Sequence, residues 1–116
     1  MLPPLHAEMV FVSNEKYSLL TSGPDAATGL NHMWYATGDA IDFELGRAQY
    51  YTKWDGVQFT QDQLKGISNA WNTNASLYSA FNNNCWNAAS YVKSQFGLTG
   101  GSVVANGASS MTMFGF

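Results

Sequence analysis

The feature that most restricts the fold of this chain is a change of hydrophobic period near residue 60. Before it, apolar side chains recur every second residue; after it, they recur at helical spacing. In residues 5–12, Leu5, Ala7, Met9 and Phe11 fall on one face of a strand, while His6 and Glu8 share the other with Val10 and Val12. Ser13-Asn14-Glu15-Lys16 has turn chemistry, so Tyr17 to Thr21 reads as the return of a hairpin. Residues 22–31 read as a loop rich in Gly, Pro, Asp and Thr. Strands are expected at 32–36 and 41–45, joined by Thr37-Gly38-Asp39, and a short one at 49–53.

The helical half opens at Thr60, a good N-cap. Asp62 in the first turn suits the helix dipole, and Leu64, Ile67 and Trp71 form a stripe that Asn72-Thr73-Asn74 ends. Asn84 caps a second helix, whose Cys85, Ala88, Ala89, Val92 and Phe96 share one face and which stops at Gly97. With 116 residues the chain holds one core. The expected architecture is one α+β domain, residues 1–116, in which a small antiparallel sheet packs against two helices. The catalytic core spans about 5–97, and 98–116 is a loose Gly/Ser-rich C-terminal tail with an apolar end (Met111, Met113, Phe114, Phe116).

Charge narrows the partners. The five basic residues (Lys16, Arg47, Lys53, Lys65, Lys93) are scattered singly and the net charge is −3, so nucleic acid is disfavoured. The single cysteine excludes an internal disulfide and a multi-Cys zinc site. Asp39, Asp42 and Glu44 cluster around a hairpin without calcium-loop spacing and read as a solvated turn, so neither metal nor cofactor is expected. No apolar stretch approaches the roughly 20 residues of a membrane span, and residues 1–4 carry no signal-type pattern. The expectation is a soluble protein, secreted or exported without a classical signal peptide, read as an excised domain or a compact effector.

The residues with chemistry are Cys85, His6 and His32. A thiolate at the first turn of a helix is stabilised by free N–H groups and the positive dipole end. The Asn84 cap and the Cys85 backbone N–H groups also suit an oxyanion hole. The polar loop Asn82-Asn83-Asn84 suggests that substrate reaches the sulfur. Thiol hydrolysis needs an imidazole to share the proton, and His6 on the opening strand is the candidate base, with Ser22 or His32 as its orienter. The plain alternative is a small apolar cysteine packed at a helix start and a satisfied strand histidine.

A histidine on the first strand of a small sheet, followed much later by Asn84-Cys85-Trp86-Asn87-Ala88-Ala89 opening a helix, resembles the circularly permuted NlpC/P60 group. That group includes the lecithin-retinol-acyltransferase-like and PPPDE-type papain-fold enzymes. The resemblance covers about residues 5–97 and implies a permuted papain-like topology in which Cys85 attacks an acyl carbon and His6 serves as base, then acid. It implies a cysteine peptidase or amidase cleaving an amide bond, peptidoglycan links included, through an acyl-enzyme. A lipid acyl hydrolase or acyltransferase with the same dyad is the nearest alternative, with the apolar residues after Met111 supplying its acyl-binding surface. A non-catalytic binding or assembly domain is the alternative from another class. The partners implied are a peptide, peptidoglycan or lipid acyl substrate and, for a toxin, an immunity or inhibitor protein.

Overall fold

The alternation after residue 5 becomes β1 (His6–Ser13), which pairs antiparallel with β2 (Lys16–Pro24); Ser13 stands opposite Lys16 and Glu8 opposite Thr21. The computed structural model describes residues 6–13, 16–37, 50–55, 57–98, 104–105 and 109–115, with side chains described over 7–11, 17–37 and 57–98. β2 runs further than the hairpin pattern indicates, so Ser22 and Gly23 belong to a strand and not to a loop. The turn that follows is held by Asp25, whose carboxylate accepts the Ala27 N–H at 3.0 Å and the Thr28 hydroxyl at 3.0 Å. Gly29 supplies the left-handed residue there, with φ 73°. β3 (Asn31–Thr37) then returns antiparallel to β2, with Met33 opposite Ser22. The strand expected at 41–45, together with Asp39, Asp42 and Glu44, lies outside the described residues.

β4 (Tyr50–Asp55), β5 (Val104–Ala105) and β6 (Ser109–Gly115) enlarge the sheet, whose order is β3-β2-β1-β6-β4-β5. β6 lies parallel to both β1 and β4. Residues 109–115 are therefore a strand beside β1, which corrects the reading of 98–116 as a loose tail. Gly and Ser in this segment mask a period-2 alternation through Met111 and Met113. The β1 edge left open by the hairpin gives that alternation a partner.

The two helices match the sequence closely. α1 (Gln61–Thr73) starts at the Thr60 cap, which forms a reciprocal capping box with Gln63. α2 (Cys85–Gln95) ends where Gly97 takes φ 64° and the Leu98 N–H donates to the Lys93 carbonyl at 3.0 Å, a Schellman stop. Both helices cover one face of the sheet. Ala7, Met9 and Phe11 of β1, Leu20 of β2 and Met33 of β3 form the core with Leu64 and Ile67 of α1 and Cys85, Ala88, Ala89 and Val92 of α2. The small side chains of Ala88 and Ala89 allow α2 to approach β1 closely. Glu8 and Val10, in the other register of β1, are also buried. The result is α+β, with the antiparallel strands β1, β2 and β3 against two helices as expected.

Among the described residues β3 is an edge strand, and α1 closes that edge with side chains. The Asn72 amide imitates a neighbouring strand: its Oδ1 accepts the Met33 N–H at 2.7 Å and its Nδ2 donates to the Met33 carbonyl at 2.8 Å. Ser68 Oγ donates to the same carbonyl at 2.8 Å, and Trp71 Nε1 donates to the Asn31 carbonyl at 2.8 Å. Backbone groups that would otherwise template another strand are thereby satisfied. Among the described residues no helix is long and apolar enough to cross a membrane.

Candidate active site

α2 begins at Cys85 because Asn84 takes an extended backbone (φ −136°, ψ −171°) and folds its side chain over the first turn. Its Oδ1 accepts the N–H groups of Trp86 at 3.0 Å and Asn87 at 3.3 Å, and Asn87 Oδ1 accepts the Asn84 N–H at 2.9 Å. Just upstream, Ser79 and Asn83 exchange backbone hydrogen bonds of 2.8 and 3.0 Å. That closed turn returns the chain so that residue 78 lies beside the helix start. Asn31, fully buried in β3, ties the turn to the sheet through Nδ2, which donates to Asn83 Oδ1 at 3.2 Å and to the Asn84 carbonyl at 3.0 Å.

The Cys85 sulfur lies where α2 meets β1. The Ala7 N–H donates to Cys85 Sγ at 3.3 Å, a contact between residues 78 apart in sequence. The phenol of Tyr78 lies close enough to Cys85 for both the backbone N–H and the side chain of that cysteine to act on its proton. Burial raises the Tyr78 phenol above its ordinary value; negative charge at the Cys85 sulfur and a hydrogen bond to it act the same way. The bond from the Cys85 N–H opposes them. Sequence reasoning missed Tyr78, because only the closure of residues 79–83 brings it to the cysteine.

Burial corrects one expectation. The polar loop at 82–84 suggested an accessible sulfur, yet Cys85 is 2 % exposed. The reason is geometric: Cys85 belongs to the same helix stripe as Ala88, Ala89 and Val92, so the face that packs α2 on the sheet carries the sulfur inward. The apolar surface near the helix start comes from Leu77, Phe81 and Trp86, which are exposed, Phe81 almost completely. The segment after Met111 is strand β6, paired with β1, and its side chains lie outside the described residues.

The candidate partners of the sulfur fare differently. His6 opens β1, one residue before the amide that bonds Cys85 Sγ, and its side chain lies outside the described residues. In register, position 6 goes with Glu8 and Val10, whereas Ala7, Met9 and Phe11 face the helices. Ser22 is buried in β2, and its Oγ has no hydrogen-bond partner among the described residues. Its register, alternating with Leu20, is the one that faces the helices. His32 stands in β3 opposite Gly23 and packs edge-on against Trp34, with ring centroids 4.6 Å apart. Its strand turns Met33 toward the helices, so His32 lies on the far side of the sheet from Cys85 and is not brought to it. Its charge instead helps lower the Asp25 carboxyl, after the larger effects of the Ala27 N–H and the Thr28 hydroxyl.

The class of this centre is thus set by geometry: a buried cysteine at a capped helix start, contacted by a strand amide and a phenol. No protein-family model, curated protein or solved structure matches the chain.

Proposed function

We propose that the chain is a thiol hydrolase, a cysteine peptidase or amidase in which Cys85 attacks an amide carbonyl. The observation that supports this most is the Ala7 N–H donating to the sulfur of a cysteine that opens a helix, with the Tyr78 phenol beside it. Such surroundings favour a thiolate. In the proposed cycle the sulfur bonds to the carbonyl carbon and the carbonyl π pair moves to oxygen. The Cys85 N–H and a Tyr78 hydroxyl rotated off the sulfur donate to that oxyanion. His6 takes the thiol proton and delivers it to the leaving nitrogen, so the C–N bond breaks and a thioester remains. Water then attacks the thioester, His6 relays its proton to sulfur, and a carboxylic acid leaves.

This cycle makes two demands on the chain. His6 must turn toward α2 at the first residue of β1, against the alternation that Ala7, Met9 and Phe11 follow. The helix start must also open enough to admit substrate to a buried sulfur.

The test is turnover of a panel of amides, peptidoglycan peptides and acyl esters, with iodoacetamide labelling near pH 6. Cys85→Ala is expected to lower amide hydrolysis by about 10³-fold or more, with little change in melting temperature. His6→Ala is expected to do the same. A wild-type chain that turns over nothing, and whose thiol labels no faster than an unactivated one, overturns the reading.

The burial of Cys85 on the Ala88–Ala89–Val92 stripe favours a second reading, a non-catalytic binding domain whose cysteine is core. Under it, Cys85→Ala lowers stability by about 1 kcal/mol or more and changes no chemistry.

A further inference from the structure

We infer that a second site, a cleft between the end of α1 and the middle of α2, binds a single neutral sugar ring. The cleft has a volume of about 260 Å³ and is lined by Ala70, Trp71, Asn74, Ser76, Asn83 and Tyr91. Its aromatic wall is a tilted pair, Trp71 and Tyr91, with ring centroids 5.2 Å apart. The indole is fixed in advance, because Trp71 Nε1 is bonded to the Asn31 carbonyl at 2.8 Å. A rigid aromatic face suits the apolar C–H face of a pyranose, which needs flat contact without charge.

The polar groups of the cleft are also held in place. Asn83 Nδ2 donates to Ser76 Oγ at 3.0 Å and to the Ser76 and Leu77 carbonyls at 3.1 and 2.8 Å. Ser76 Oγ therefore accepts inward and keeps its O–H for a ligand. Asn74, exposed at the C-cap of α1, donates from Nδ2 to the Ala70 carbonyl at 3.4 Å, which leaves its second N–H and its Oδ1 to offer a ligand. These groups match ring hydroxyls.

Three observations select the ligand class. Residues 66–92, which supply every lining residue, contain no Asp, Glu, Lys, Arg or His. A carboxylate, phosphate or ammonium ligand would find no charge partner there. The volume falls below the roughly 300–1,000 Å³ of sites for drug-sized ligands, which suits one ring better than an extended chain. Peptide capture by strand addition is blocked nearby, because Asn72, Ser68 and Trp71 already occupy the β3 edge.

The site is independent of the chemistry proposed for Cys85, and its test keeps the two apart. Glucose, galactose and N-acetylglucosamine are titrated by ligand-observed NMR, with glucuronate and glucose 6-phosphate as charged counterparts. The expected result is saturable binding of at least one neutral sugar, with Kd on the order of a millimolar, and weaker binding of both charged sugars. Ala70→Phe, which fills the cleft from an exposed helix position, should abolish binding while circular dichroism shows α1 intact. Asn74→Ala should weaken it by about fivefold, and Cys85→Ala should leave it unchanged. Absence of saturable binding overturns the inference. So does binding that survives both Ala70→Phe and Asn74→Ala, or equal affinity for the charged sugars.

Discussion

The two helix starts of this molecule use the same local device for different ends. α1 opens with a Thr60–Gln63 capping box and α2 with an Asn84–Asn87 box. At α1 the first turn carries Asp62 and is exposed, so a carboxylate and water complement the positive dipole end. Gln61 Oε1 there accepts the hydroxyls of Ser18 and Tyr35 and pins the helix to β2 and β3. At α2 the first turn carries no acid; it presents Cys85, buried, with the Tyr78 hydroxyl and the Ala7 amide against it. Both starts are capped by their own residues, but only the second carries a thiol in its first turn, a group whose anionic form a helix start favours. Under the proposed function, α2 and not α1 is the helix start that carries the chemistry.

The largest effect that would sharpen this contrast is expected from Tyr78→Phe. Loss of the hydroxyl should lower kcat of the proposed hydrolysis by about 10²-fold with little change in KM. An unchanged kcat with reduced stability would assign Tyr78 to the cap alone.

Next comes the pair of cap deletions, compared by urea denaturation. Asn84→Ala removes the acceptor of two N–H groups and the Nδ2 bond to the Ala80 carbonyl, and should cost about 1–2 kcal/mol. Thr60→Ala should cost about 1 kcal/mol. Only Asn84→Ala should alter the iodoacetamide rate of Cys85; an equal change from Thr60→Ala would abolish the distinction between the two starts.

The smallest effect is a pH dependence. The fold raises the Tyr78 phenol above its ordinary value of 10.0, so the unfolded chain releases that proton first as pH rises. Stability should therefore fall above pH 10, more steeply in the wild type than in Tyr78→Phe. Parallel slopes in the two proteins would show that Tyr78 titrates alike in both states.

Much of the secondary structure is legible because its causes are local. Thr60 and Asn84 cap helices through their own side chains, and Gly97 ends one by taking a positive φ. Ala7, Met9 and Phe11 announce the helix-facing side of β1 by alternation alone. The limits are equally specific. β6 was hidden because Gly and Ser dilute its pattern and because its partner, β1, lies about a hundred residues earlier in the chain. The extension of β2 through Ser22 and Gly23 was hidden because turn-type residues follow the backbone of β3 once that strand is beside them. Asn72 reads as a helix terminator, yet in the fold it serves as a surrogate strand for Met33.

Of the candidate site, residue order determined only that a cysteine opens a capped helix and that a histidine opens the sheet. Packing decided the rest: it turned the stripe of α2 inward and buried the sulfur, brought the Ala7 amide to it, folded Tyr78 back over it and left His32 on the other side of the sheet. Caps and alternation depend on neighbours a few residues away. The surroundings of a sulfur instead depend on which surfaces exclude water together, and those surfaces come from distant parts of the chain.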